Sequence, residues 1–280
     1  EISLGLVGSE MCIRDRHHIL LYGPPGSGKS LLMRDVADAL GMTFIPFHCS
    51  TLEDAADFLA TIHLCAGPDG QSVMQFQRSP LLETIERAYR HPRQRFLLGL
   101  EEFNRCPTPA QNASLAAMDK TRTIRHPIEN KHVVIPLNVS FIAAINRGAQ
   151  YTGTFDIDRA QLDRFEPIEI NYMPAEQEVA FLKKEYPRVG KEKIETIVAI
   201  ANKIRSAPEM PCELSVRATS GACVFLNDPL VASERGNFLI DVLKSAFCGR
   251  LNGHWDEQGS EASIAWRLIQ DSLAEHASSR

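Results

Sequence analysis

The chain has no C-x-x-C pair. Its seven cysteines stand singly at positions 12, 49, 65, 106, 212, 223 and 248. The paired thiolates of a zinc ribbon or a thioredoxin-like centre are therefore missing, and reduced core or surface thiols of a cytoplasmic protein are expected. His17-His18 are adjacent, but no third ligand stands at usable spacing, so no zinc site is expected. No apolar run approaches the length of a membrane span, and no charged start leads into an apolar segment as a secretory leader requires. Neither sign of charge dominates: 30 Lys and Arg against 35 Asp and Glu give a net charge of −5. That balance favours neither a nucleic acid nor an anionic membrane as partner. Internal repeats and low-complexity tracts are also absent. What remains, at 44% hydrophobic and 23% charged residues, is ordinary globular composition, enough for one large domain or two modest ones.

Against this plain background one stretch stands out, Gly23-Pro24-Pro25-Gly26-Ser27-Gly28-Lys29-Ser30. It follows the apolar run His18 to Tyr22 and opens into a helical pattern from Leu31 to Leu40. Strand, glycine loop and helix together form the context in which G-x-x-x-x-G-K-[ST] is a phosphate site. The glycines let successive backbone N–H groups turn inward on an anion, and the helix start adds its own free N–H groups and dipole. Lys29 is placed to reach β- and γ-phosphates, and the Ser30 hydroxyl to ligate Mg²⁺. Gly23 to Leu31 are the expected nucleotide contacts.

Further along, Thr43 to His48 reads as a second strand after Gly41 closes the first helix. Thr51 to Leu59 starts with a capping residue and a nearby acid and then runs at helical spacing, so a helix is expected there. A second helical run starts at Ser79-Pro80. Phe96 to Leu100 is a near-continuous apolar strand of the kind a sheet covered on both faces requires, and it ends in Glu101-Glu102. Ligands of such sheets lie at the strands' carboxyl ends. There one acid can hold Mg²⁺ and the next can polarise an attacking water.

Ala110 to Met118 reads as a helix, and 121–125 with 132–135 as the arms of a hairpin. Val139 to Asn146 is another buried strand ending in a polar residue, and Pro167 to Tyr172 a fifth. Beyond Met173-Pro174 the pattern is helical throughout, over about 175–186, 191–205, 214–226, 236–249 and 261–276. The expected class is α/β, a parallel five-stranded sheet flanked by helices over 17–173, followed by a small all-α domain over 174–280.

The phosphate loop, Glu101-Glu102-Phe103-Asn104-Arg105, Asn146, Leu162-Asp163-Arg164-Phe165 and Ser215-Val216-Arg217-Ala218 occur in one order. As an ordered set they resemble the P-loop AAA+ ATPases of the MoxR and dynein-related branch, over roughly 17–250. The resemblance implies an α/β nucleotide-binding domain with a helical lid, and ATP with Mg²⁺ held between neighbouring subunits of a ring, usually a hexamer. It implies that Glu102 is the catalytic base and Glu101 a metal contact with Ser30, that Asn146 is the first sensor, and that Arg217, capped by Ser215, is the second. Arg164 resembles the arginine finger, with Arg159 as its rival. On turn preference alone Asn146 reads as a strand-end turn residue, and Arg164 as a cation pairing with Asp163 or Asp158. Residues 63–80 would be an insertion and 121–136 a hairpin, both tending to face the ring's pore. The branch usually has Asp-Glu at the strand end, and Glu101 departs from it. The extra methylene moves the carboxylate by about an ångström, a scale at which positioned catalysis loses about 10²-fold. A slowed ATPase is expected.

Three functions follow from that set. One is a chaperone-like remodeller or activator of a partner protein, often one of von Willebrand factor A type. Another is a nucleotide-gated assembly module with little turnover. The third is a nucleic-acid motor of restriction type, using Arg87, Arg90, Arg93 and Arg95 with Arg122, Arg125 and Lys131; net negative charge disfavours it. Finally, Leu6 to Arg16 resembles one reading frame of a transposase-type sequencing adaptor. Residues 1–16 are thus expected to be non-native.

Overall fold

The structure, a computed structural model, describes residues 18–66, 71–126, 131–146, 157–210, 214–228 and 238–278. The adaptor-like stretch and the loop carrying Gly148 and Gly153 lie outside these residues.

Five strands form one parallel sheet: β1 (His18–Gly23), β2 (Thr43–His48), β5 (Phe96–Glu101), β8 (Val139–Asn146) and β9 (Phe165–Glu169). Their order is β2-β5-β8-β1-β9, with every pairing parallel. Parallel neighbours need crossovers, and the sequence supplies them as α1 (Lys29–Ala39), α2 (Pro80–Arg90) and α3 (Thr108–Met118). Alternation along the strands divides the core in two. Leu20, Phe96, Leu98, Leu100 and Phe141 pack on one face with α2 and α3 residues such as Leu81, Ile85 and Ala110. Ile19, Leu21, Leu97 and Ile142 pack on the other with Leu32, Met33 and Val36 of α1. Both faces are covered, which explains the uninterrupted apolar runs. Gly99 marks the tightest spot: a Cβ there would lie 2.6 Å from the Phe44 ring and 3.1 Å from Met33 Sδ.

The helix expected over Thr51 to Leu59 does not form. Asp54 accepts from Ala56 N and Asp57 accepts from the backbone N–H groups of Asp54 and Glu53. That capping box closes a short 3-10 turn, Ala55–Phe58. The chain then alternates as a strand, β3 (Ala60–Ala66), antiparallel to β4 (Ser72–Arg78). In register, Ile62 pairs with Phe76 and Leu64 with Met74. The second hairpin is β6 (Thr123–Arg125) with β7 (His132–Val134). The strand expected over 167–172 starts and ends earlier, leaving Tyr172 beyond it.

The chain divides into two compact units: one holds the described residues up to Gly23 with Gly28–Ile170, the other Pro24–Ser27 with Asn171–Arg280. In the second, α4 being the short Arg159–Leu162 turn of the first, α5 (Ala175–Glu185), α6 (Lys191–Arg205), α7 (Val216–Asn227), α8 (Leu239–Leu243) and α9 (Glu261–Ser278) enclose their own core. It includes Leu182, Ile194, Ile197, Phe247 and Ile269. The helix expected over 236–249 starts as α8 and finishes as a wide π turn, Lys244–Cys248. A charged group sits inside this core: Glu178, 0% exposed, is gripped by Arg205 through two bonds of 2.7 and 3.1 Å and by Thr219 at 2.6 Å. Among the described residues no helix is long and apolar enough to cross a membrane.

Candidate active site

Gly23, Glu101 and Asn146 stand at the carboxyl ends of β1, β5 and β8, whereas Arg164 immediately precedes β9 at the sheet's opposite end and Arg217 belongs to the second unit. Gly23 ends β1 in register with Asn146 at the end of β8, and His48 ends β2 in register with Glu101 at the end of β5. Gly23 has no room for a side chain, since a Cβ would lie 2.1 Å from the Ile170 carbonyl oxygen. Gly28 takes a left-handed φ of 92° as the residue before α1, with open space where a Cβ would point. Gly28 offers that helix start no side-chain cap, and a helix N-terminus favours an anion. Lys29 is buried, and its Nζ donates to the Gly23 carbonyl at 3.0 Å, back across the loop. Leu31 is 57% exposed on the first turn.

Ser30 Oγ donates to Glu101 Oε2 at 3.2 Å, and His48 Nδ1 lies 3.7 Å from the same oxygen. Two neighbouring ligands of one octahedral Mg²⁺ stand about 2.9 Å apart, given bonds of about 2.0–2.1 Å. The hydroxyl and carboxylate are thus close enough together to hold one shared ion. Among the described residues no cluster of three or more His, Cys, Asp or Glu offers an all-protein cage. Glu102 follows in the left-handed region, at φ 52°. For a residue with a side chain that conformation is sparsely populated. Its Oε2 lies 3.4 Å from Arg105 Nε. Asn104 Nδ2 donates to the Asn146 carbonyl at 3.0 Å.

Beneath the acid pair Cys49 and Cys106 are both fully buried. Burial pushes the Cys49 thiol well above its ordinary range, and its Cys106 partner and the charges of Glu101 and Glu102 push it the same way. These are packing thiols.

Arg164 is half-buried and donates from Nη1 to the Ala160 carbonyl at 2.5 Å, rather than pairing with Asp163 or Asp158. Asp158 is occupied as the cap of α4, accepting from Ala160 N. Arg159 is exposed on the same turn. In the second unit Ser215 occupies the cap position of α7 but makes no side-chain cap bond, contrary to expectation. Arg205 Nε instead holds the Leu214 carbonyl at 2.7 Å. Arg217 is exposed on the first turn. Within that unit a Cβ on Gly26 would lie 2.8 Å from Ser215 Cβ and 3.8 Å from Arg217 Cγ. Tyr172 Oη donates to the Pro25 carbonyl at 3.2 Å, with Arg205 4.9 Å over its ring.

Residues 18–165 match the AAA domain of the dynein-related subfamily. The chain belongs to that family. No curated protein matches it significantly. Among solved structures, a RuvB mutant from Thermotoga maritima is 18% identical with a TM-score of 0.52, over 90% of this chain and 68% of that one. NtrX from Brucella abortus, in complex with ADP, is 16% identical with a TM-score of 0.57, over 97% of this chain and 62% of that one. At such identities these share the fold with this AAA domain. The nucleotide-binding P-loop fold and the parallel five-stranded sheet expected from the sequence are therefore both found.

Two residues of this AAA domain's site were not singled out by sequence. His48 looked like any strand end. Asn104 was visible only inside a motif; its signal is an amide two residues past an acid pair, where a loop must find partners for its polar groups.

Proposed function

We propose that this AAA domain hydrolyses ATP with Mg²⁺ and acts as a chaperone-like remodeller or activator of a partner protein. It works in the cytoplasm as a ring, taken to be a hexamer, with ATP at the subunit interfaces and a von Willebrand factor A-type protein as a fitting partner. Residues 17–173 form the nucleotide-binding domain and 174–280 the lid.

The observation that carries this reading is the contact of Ser30 with Glu101 at the end of β5, with Glu102 next in the chain. Ser30 and Glu101 would hold Mg²⁺, which supplies charge neutralisation on the phosphates. Gly23 to Ser27, Gly28 and Leu31 cradle the nucleotide, and Lys29 exchanges the Gly23 carbonyl for phosphate oxygen. Glu102 leaves Arg105, accepts a hydrogen bond from the attacking water and orients it in line. Asn146 donates its amide to that water or the phosphate. Arg164 serves a neighbouring subunit's site as a finger, with Arg159 the second candidate, and Arg217 lets the lid respond to nucleotide.

The nucleic-acid motor is disfavoured. Arg87 lies over the Phe96 ring, Arg90 pairs with Glu86, Arg95 donates to the Leu40 carbonyl, and Arg122 holds three carbonyls. The assembly module rests on Glu101 standing where the branch usually has Asp. Steady-state phosphate release with Mg-ATP separates the readings. Turnover in the wild type, lost in Glu102→Gln while nucleotide still binds, supports the ATPase. Binding and ring formation without any wild-type turnover supports the assembly module instead.

A further inference from the structure

The pairing of β5 with β8 ends at Leu100 opposite Ala143. β8 continues to Asn146, and over that last stretch its other edge is paired with β1, Gly23 standing opposite Asn146. On the β5 side the strand ladder has run out. The chain there has turned away through Glu102 into the 3-10 turn Phe103–Arg105. That turn is pinned by Phe103, which is fully buried and packs edge-on against Phe165 at 5.9 Å. Asn104, 7% exposed, points its amide back across the gap, and Nδ2 donates to the Asn146 carbonyl at 3.0 Å. The side chain supplies the donor that a continued β5 would have supplied from its backbone.

The same amide carries a burden. Asn104 Oδ1 is buried and has no hydrogen-bond partner among the described residues. Turning the amide over would not relieve it, because oxygen would then face the Asn146 carbonyl oxygen. A buried acceptor without a donor is unfavourable, so an apolar side chain of the same shape would be the easier occupant if packing alone mattered. The donor is what the position needs.

We propose that Asn104 is a positioning residue: it locks the main chain of Asn146 in register with the turn that carries Glu102, so that the base and the sensor meet the same water. It is not itself placed on the reacting atoms, and its effect on turnover runs through Asn146. This rests on the ATPase reading for its kinetic consequence, whereas the tie between the two strand ends does not.

The test is a double-mutant cycle on the full chain, using Asn104→Ala, Asn146→Ala and the pair, with Asn104→Leu as a shape-preserving variant that removes the orphan oxygen. Asn104→Ala and Asn104→Leu should each lower kcat about ten-fold or more, with KM for ATP and ADP affinity within about two-fold. In the Asn146→Ala background the further loss should shrink to about two-fold or less. Amide hydrogen exchange should quicken over 101–106 and 139–146 and be unchanged elsewhere in the sheet. Equal fold losses in both backgrounds, or a full kcat in folded Asn104→Leu, would overturn the positioning role. Unchanged exchange at both segments would overturn the tie. A wild type that binds nucleotide without turnover defeats the ATPase reading alone, and the exchange comparison then decides the tie by itself.

Discussion

Ser30 and Glu101 meet at 3.2 Å, joining the hydroxyl that opens the phosphate-loop helix to the carboxylate that ends the third strand of the sheet in chain order. The contact spans 71 residues of sequence and is made by register: both groups sit at carboxyl ends of parallel strands or just beyond them. Glutamate reaches the hydroxyl directly, with its Oε2 also drawn toward His48 at 3.7 Å.

Replacing Glu101 by Asp withdraws that carboxylate by about an ångström, and a bound Mg²⁺ would then be held through water, which the ion gives up reluctantly. Turnover is expected to rise in Glu101→Asp, by at most about 10²-fold, with ATP affinity little changed. Steady-state phosphate release beside nucleotide titration checks it. A fall in turnover would mean that the length of the Glu101 side chain suits this site.

Gly99 lies in the middle of β5 with Phe44 on one side and Met33 beneath. A methyl at 2.6 Å from a ring carbon forces that ring to move, and the ring is itself packed against the core around Met33. Gly99→Ala should therefore destabilise the nucleotide-binding unit by about 1–3 kcal/mol, the range for overpacking. Denaturant unfolding followed by the sheet's far-UV signal measures this. A neutral result would mean that Phe44 has a second rotamer at no cost.

In the helical unit the Glu178 carboxylate is fully buried and its partners are Arg205 and Thr219. Removing one member of such a pair leaves an uncompensated charge, at a cost of about 3–5 kcal/mol. Glu178→Ala should lower the unfolding midpoint of this unit, and also loosen the Leu214 carbonyl that Arg205 holds at the entry to the helix of Arg217. The double change Glu178→Leu with Arg205→Met should recover much of the loss, because it removes both charges. Scanning calorimetry reads both, provided the two units are allowed separate transitions.

What was legible in the sequence follows periodicity and local chemistry. The buried strands at Phe96 and Val139 announced themselves because a sheet covered on both faces needs unbroken apolar runs. The helix Lys191–Arg205 was bounded as read because its apolar residues recur at three and four. The reading of Thr51 to Leu59 failed because a capping box marks the start of a turn without fixing its length. Nothing local distinguished four residues of 3-10 helix from a longer α-helix. The hairpin after it was missed because Leu64 and Met74 lie exposed at 75% and 71%, so the strand had no buried stripe to give it away. At the site, the residue types were legible, whereas which of them touch was not: the Ser30–Glu101 and Asn104–Asn146 contacts depend on strand register, which no single segment encodes.

The buried thiols of the helical unit give a pH dependence with a definite sign. Burial pushes Cys223 up to about 12, with the Glu178 charge adding to it. Burial pushes Cys248 up to about 11, with Lys244 pulling partly the other way. In the unfolded chain a thiol ionises near 9.0. Above that pH the unfolded chain has given up protons that the folded one retains, so ΔG of unfolding decreases as pH rises. The contribution is complete below about pH 9 and is lost as pH climbs through the folded values of about 11 and about 12. Chemical denaturation under reducing conditions at pH 8 and pH 10.5 should show a smaller drop in Cys223→Ala than in the wild type, since alanine has no proton to lose. Iodoacetamide on the native chain should label the half-exposed Cys65 and spare Cys223 and Cys248. Equal pH slopes in wild type and variant would trace the alkaline loss to other groups, and early labelling of Cys223 would mean that the helical core opens readily.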